Sequence, residues 1–375
     1  MAATVDFSSL ANPSMRNLQA YDPGHDIPVL RIRFAGMGGL CEMGSNENCY
    51  GPSANVYPAL VRETQSLHRY PDPSGKSLKS ALSVIHDINP DQIILGNGSH
   101  ELLMQLAQVF AGPGDEVLVS RYCFAVYPIA AKAAGAQLVV ADELPLTDEM
   151  PLGHDLSSIA GAISTKTKLI FFANPNNPTG TWFTSEAFER FMAQVPQNVL
   201  VVADEAYIEY VKDSRLHSAL RFRKQFPNLV VSRTFSKAYG LAGLRAGYLI
   251  ADASVVQRIE PIRESFNLNA FALAGAEAAL SDAAHLLTVR DGNEIERTWL
   301  QNALSGLGFL VLPSQTNFLL VRFGERAADI ERGLLNRGIV VRPMAGYGLS
   351  DYLRVTVSNR LENQRLFSAL SEIDS

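Results

Sequence analysis

Lys237 follows Thr234 and Ser236 and precedes Arg245, a set of residue types that can bind two chemical groups at once. A lysine amine adds to an aldehyde to form an imine. Hydroxyls and an arginine beside it can hold a phosphate. Three further loops carry polar residues suited to the same ligand. Residues 96–101, Gly-Asn-Gly-Ser-His-Glu, open a helix, where close backbone approach and free amides at Ser99 and His100 favour an anion. In residues 174–180 two Asn-Pro pairs stiffen the chain around Asn177, whose amide can then be held against a ligand oxygen. Asp204 stands where a buried strand ends, and a carboxylate there needs a partner such as a protonated ring nitrogen. Phe124 offers a flat face for stacking on a ring. Taken singly, the same residues also read as a solvated lysine, a helix cap at Ser99, a rigid turn, a capping aspartate and a core aromatic.

The elements must bring these loops together. Seven short apolar runs, at 92–95, 116–119, 137–140, 168–172, 199–202, 229–231 and 246–250, lack polar alternation, as strands covered on both faces do. Leu102, Leu103, Leu106, Val109 and Phe110 recur between two of them at helical spacing. The pattern predicts an α/β fold whose large domain has a mostly parallel seven-stranded sheet covered by helices on both faces. Ligands of such sheets bind beyond the carboxyl ends of the strands, where all four loops fall. After one long helix near 253–290, runs at 317–321, 339–341 and 352–357 and a closing helix at 362–373 predict a smaller α+β domain. A chain of 375 residues also exceeds the roughly 250–300 at which a single core stops growing. We divide it into an irregular N-terminal segment at 1–45 packing on the small domain or a neighbouring subunit, a large domain at 46–265 and a small domain at 266–375.

Composition narrows the classes. Hydrophobic residues make up 47% and charged ones 19%, enough for a sizeable core, and the net charge of −6 argues against a nucleic-acid partner. No 18-residue apolar run predicts a membrane span, and residues 1–6 lack the basic start of a secretory leader. Cys41, Cys49 and Cys123 are odd in number and widely spaced, which suits reduced thiols of a cytoplasmic protein rather than disulfides or a metal site. Cys49 and Cys123 are expected to be packing residues.

The aldehyde and phosphate inferred above both belong to pyridoxal 5'-phosphate. The order Ser99, Phe124, Asn177, Asp204, Tyr207, Thr234, Ser236, Lys237, Arg245 resembles that of fold type I pyridoxal-phosphate enzymes, specifically class I/II aminotransferases. Residues 45–53, 68–72, 315–318, 338–349 and 352–355 are similar to the histidinol-phosphate aminotransferase subgroup, and the likeness runs from about residue 10 to 370.

The resemblance implies roles. Lys237 would form the imine with the cofactor and then move the proton, Asp204 would pair with the pyridine nitrogen, and Asn177 and Tyr207 would bind the ring hydroxyl. Backbone amides of Ser99 and His100, the hydroxyls of Thr234 and Ser236, and Arg245 would hold the phosphate, with Phe124 on the ring face. On the substrate side, Arg354 would clamp the carboxylate of glutamate, while Arg342, Tyr21 and Tyr70 would bind a substrate phosphate, with Asn46 nearby. Tyr70 would come from a neighbouring subunit, so a homodimer with shared active sites is implied. The implied reaction moves an amino group between glutamate/2-oxoglutarate and histidinol phosphate/imidazole acetol phosphate. Aromatic or other amino-acid aminotransferases, and a phosphoamino-acid decarboxylase on the same scaffold, are the alternatives, and a non-catalytic binding protein would be expected to lose Lys237 or Asp204. The chain departs from the pattern at Cys49, where Pro is common, and at His100, where an acidic residue is usual. It departs again at His25, which stands for Lys, and at Ser358-Asn359, which stands for Gly-Thr.

Overall fold

The computed structural model describes residues 7–36 and 38–374. The reading of residues 1–6 as lacking a leader lies outside them. Strand β1 is Cys41–Glu42, followed by β2 (Ile93–Gly96), β3 (Glu116–Ser120), β4 (Gln137–Ala141), β5 (Thr167–Ala173), β6 (Leu200–Asp204), β7 (Leu229–Thr234) and β8 (Gly247–Ile250). β2 to β8 form the expected seven-stranded sheet, in the order β2-β8-β7-β6-β5-β3-β4. Every pairing in it is parallel except the two made by β8.

The missing polar alternation has its cause in two cores, one on each face. Val117, Val119, Leu169, Phe171, Val202 and Val230 enter one of them, beneath the helices Ser99–Phe110, Val126–Ala133 and Ala253–Ile259. Their strand neighbours Leu118, Ile170, Phe172, Val201, Ala203 and Val231 enter the other. The helices Val56–Glu63, Lys76–His86, Ser185–Met192 and Ala270–Leu280 contribute to that second core. Each fully buried Leu or Phe contributes about 1.5–3 kcal/mol, so the strand ends rest on a stiff platform. Because β8 runs against its neighbours, its amino end, and Arg245 just before it, lies at the edge where β2, β5, β6 and β7 end.

A second, antiparallel sheet has the order β12-β13-β10-β9, from Arg342–Pro343, Tyr352–Thr356, Phe318–Arg322 and Leu310–Val311. The remaining strand, β11 (Ile339–Val340), pairs parallel with β1. The run read as one strand at 339–341 is a strand only over Ile339–Val340, and the chain passes after Val341 into β12 of the other sheet, where Arg342 lies directly opposite Arg354.

The single long helix expected near 253–290 is three α-helices, Ala253–Ile259, Ala270–Leu280 and the 24-residue Ala283–Gly306, with a 3-10 turn at Glu260–Ile262 after the first. Each restart is capped: the Asn269 side chain accepts from Ala272 N at 2.8 Å and that of Asp282 from His285 N at 3.0 Å. The N-terminal segment, expected to be irregular, holds the helix Ile27–Phe34, capped by Asp26 with Pro28 in its first turn. Cys49, expected to pack, is exposed, while Cys123 is buried.

Candidate active site

A cavity of about 320 Å³ opens at the carboxyl edge of the large sheet. Of the fifteen sequence-selected residues, fourteen line it: Tyr21, Asn46, Ser99, His100, Phe124, Asn177, Asp204, Tyr207, Thr234, Ser236, Lys237, Arg245, Arg342 and Arg354. Tyr70 does not. It is 82% exposed and stacks on Phe266 with ring centroids 4.5 Å apart, away from the cavity of its own chain.

Lys237 Nζ donates to the carbonyls of Ser45 at 3.1 Å and Asn46 at 3.3 Å. Burial, assisted by the charge of Arg354, lowers its pKa from 10.5 to about 8. About a tenth of the amine is then neutral and nucleophilic at pH 7, far more than for an exposed lysine. On the floor of the cavity, Asp204 Oδ2 accepts the Tyr127 hydroxyl at 2.9 Å, while Oδ1 has no hydrogen-bond partner. Desolvation raises the Asp204 pKa from 3.8 to about 6. A buried carboxylate with one unpartnered oxygen calls for a cationic donor.

Tyr127 is a site residue that the sequence reading passed over. It was visible three positions after Phe124 as one more apolar ring on a helix, and only the fold aims its hydroxyl at Asp204. Its ring stacks on Phe171 at 5.2 Å, which fixes that hydroxyl.

The phosphate-type corner is built from the start of the helix Ser99–Phe110 and the loop after β7. Gly98, not Ser99, caps the helix, with φ +78° and no side-chain cap, so the first amides are free to take an anion. A Cβ on Gly98 would fall 2.5 Å from Arg245 Nη2, and one on Gly247 would strike the Ser99 amide, so both glycines permit close approach. Thr234 Oγ1 meets Ser236 Oγ at 3.0 Å, and Arg245 Nη1 donates to Ser236 Oγ at 3.3 Å. Burial first, then Arg245, lowers the His100 pKa, so the ring that stands for the usual acidic residue is neutral at pH 7.

The far wall carries two arginines. Arg342 and Arg354 are register partners on β12 and β13, so their side chains leave the same face of the sheet. Arg354 is buried; it donates to Asn177 Oδ1 at 2.6 Å and to the Gly44 carbonyl at 2.9 Å. Its Nε has no partner, and among the described residues no carboxylate pairs with it. Such a cation leaves room for an incoming anion. Asn46 Nδ2 donates to the Tyr207 hydroxyl at 3.0 Å, and Asn317 holds the 46–47 backbone by donating to both carbonyls at 3.1 Å. Tyr21 sets its edge against Phe124 and His100.

The donor set therefore fits a flat cationic heterocycle that carries a phosphate and an aldehyde: one carboxylate, one anion cradle, one lysine and one aromatic wall. The two arginines fit the anionic group of a second molecule, a carboxylate or a phosphate.

Comparison with known proteins agrees with this chemistry. Residues 39–370 match the model of aminotransferase class I and II. The chain is 42% identical to histidinol-phosphate aminotransferase 2 of Pseudomonas fluorescens, covering 98% of each chain. It is 40% identical to histidinol-phosphate aminotransferase 1 of Mannheimia succiniciproducens, over 98% of this chain and 99% of that one. Its fold superposes with a TM-score of 0.84 on the histidinol-phosphate aminotransferase of Sinorhizobium meliloti, solved in complex with pyridoxal-5'-phosphate, at 28% identity and 98% coverage of both. With the family model spanning nearly the whole chain, the protein belongs to the class I and II aminotransferases.

Proposed function

We propose that this aminotransferase uses pyridoxal 5'-phosphate to exchange an amino group between glutamate/2-oxoglutarate and histidinol phosphate/imidazole acetol phosphate. The observation that carries the substrate choice is the same-face pairing of Arg342 and Arg354 beside Lys237. A dianionic phosphate and a carboxylate can each find a guanidinium there. The full-length similarity to two histidinol-phosphate aminotransferases supports the same substrate.

In this reading the cofactor, when bound, supplies the aldehyde that takes up the amino group and a ring that accepts the electrons released at the substrate Cα. The protein does the rest. Asp204 holds the ring nitrogen, stays ionised beside that cation, and so keeps the ring electron-poor. Asn177 and Tyr207 orient the ring hydroxyl, and Phe124 covers one face. The Ser99 and His100 amides, Thr234, Ser236 and Arg245 anchor the phosphate. Lys237, its pKa lowered to about 8 by burial, would hold the cofactor's aldehyde and would move the proton at the substrate Cα. Arg354 turns the glutamate carboxylate, and Arg342 with Tyr21 receives the substrate phosphate.

Tyr70 completes the phosphate pocket from the neighbouring subunit of a homodimer. Tyr57, Val61, Leu67 and Tyr70 are exposed along one stretch of chain, as an uncovered dimer face would be. We divide the chain as the sequence pattern does, into a segment at 1–45, a large domain at 46–265 and a small domain at 266–375, and place the enzyme in the cytoplasm. No described helix is long and apolar enough to cross a membrane.

Arg342→Ala tests the substrate assignment. A lost charge-assisted contact of about 1.5–3 kcal/mol should raise KM for histidinol phosphate roughly 10- to 100-fold. KM for phenylalanine should move far less. Equal losses for both would refute the phosphate role.

A further inference from the structure

We infer that Asp22 is a specificity-determining residue: a built-in carboxylate that occupies Arg342 until a phosphorylated substrate displaces it. The inference rests on the proposed role of Arg342 in binding the substrate phosphate. Arg342 Nη2 donates to the Asp22 carbonyl at 2.5 Å and lies 3.3 Å from Asp22 Oδ2. The Arg342 side chain is 12% exposed and that of Asp22 79%. The cation is thus a fixed part of the wall, while the anion approaches it from the solvent side.

Local geometry aims this carboxylate. Gly24 N donates to Asp22 Oδ1 at 2.8 Å, which closes a tight turn, and Gly24 has φ +91°. A Cβ at Gly24 would land on the Arg342 guanidinium, so only glycine lets the turn lie flat against it. The turn is held on its far side as well, where His25 Nε2 meets Glu331 Oε1 at 2.7 Å and Asp26 caps the helix Ile27–Phe34. Tyr21 and Pro23, on either side of Asp22, line the cavity.

The charge arrangement gives the turn a purpose. Arg342 and Arg354 face each other across β12 and β13, and like charges in that position repel. Arg354 is held by the neutral acceptors Asn177 Oδ1 and Gly44 O, so Asp22 is the counter-charge of the pair. An amino substrate carrying a single carboxylate engages Arg354 and leaves the Arg342–Asp22 pair closed. One carrying a phosphate competes with Asp22 for Arg342 and gains two charges against one. Asp22 therefore weakens the binding of every anion at Arg342 and weakens singly charged groups most.

The test uses the cofactor-loaded full-length enzyme with Asp22→Asn and Asp22→Glu. For Asp22→Asn, loss of a partly exposed ion pair predicts a KM for histidinol phosphate lowered about two- to five-fold, with kcat little changed. KM for phenylalanine should stay within error, since its single carboxylate engages Arg354. Asp22→Glu, which keeps the charge, should resemble the parent. Inorganic phosphate, titrated as an inhibitor of the glutamate half-reaction, should inhibit Asp22→Asn more tightly by a similar factor. That gain should vanish in the double variant with Arg342→Ala. The inference is overturned if the phosphate inhibition constant does not fall, or if KM for phenylalanine falls as much as that for histidinol phosphate. If the parent fails to react with histidinol phosphate, the proposed substrate is wrong, and the phosphate titration alone then decides the role of Asp22.

Discussion

At the scale of single residues, the site is defined by ionisable groups that burial holds away from their ordinary behaviour. Asp204 is the clearest case. Its folded pKa of about 6 lies above the 3.8 of an exposed aspartate, because desolvation penalises the carboxylate. Between these values the folded state binds more protons than the unfolded one. Asp204 therefore costs the cofactor-free protein nothing at low pH, and its cost grows as pH rises from about 4 to 6 and is constant above. The size is on the order of 3 kcal/mol. Cofactor-free Asp204→Asn is accordingly expected to unfold at a higher temperature than the parent at pH 8, with the gap closing towards pH 4. Calorimetry across that range checks it, and a gap independent of pH would show that Asp204 is not strained by burial. The same residue is then a place where stability is given up for a ligand, and a cationic ring nitrogen restores it.

At the scale of elements, the strand ends do the positioning. β6 and β7 run parallel and deliver Asp204 and Thr234 to one side of the sheet, while their sequence neighbours Glu205 and Arg233 point to the other. There Arg233 pairs with Glu205 and Glu209, each at 2.8 Å, and donates to Ser218 Oγ at 2.9 Å. All three charged side chains are buried, and desolvation raises the Glu209 pKa. Arg233→Met would leave two buried carboxylates without their counter-charge, so a loss of about 3–5 kcal/mol is expected from denaturant unfolding. A loss below about 1 kcal/mol would mean that the cluster does not lock the two strand ends. None of this cluster was legible in the sequence, because an arginine and a glutamate inside apolar runs carry no sign of each other. The strands themselves were legible, since burial on both faces writes a continuous apolar run. What the pattern could not supply was the change of sheet between Val340 and Arg342, which depends on pairing of Ile339–Val340 with distant Cys41–Glu42. Nor could it show the caps at Asn269 and Asp282, which break one helical run into several.

At the scale of the whole molecule, the active site is a junction. The large sheet contributes Lys237, Asp204 and the phosphate corner, the antiparallel sheet contributes the two arginines, and the N-terminal turn contributes Tyr21 and Asp22. Fourteen of the fifteen candidates line the cavity: those of the large domain because loops after parallel strands converge on one edge, and Tyr21, Asn46, Arg342 and Arg354 as the family resemblance implied. Tyr70 is the exception: it is exposed and stacks on Phe266 outside the cavity of its own chain. By the proposed function, this junction accepts glutamate and a phosphorylated amine in turn. The most direct measurement mixes cofactor-loaded enzyme with glutamate, histidinol phosphate or phenylalanine, one at a time, and follows the absorbance change as the cofactor takes up the amino group. Full conversion with glutamate and with histidinol phosphate, the latter at much lower concentration than phenylalanine, is the expected result. Conversion with phenylalanine in preference to histidinol phosphate, or carbon dioxide release without conversion, would contradict the account.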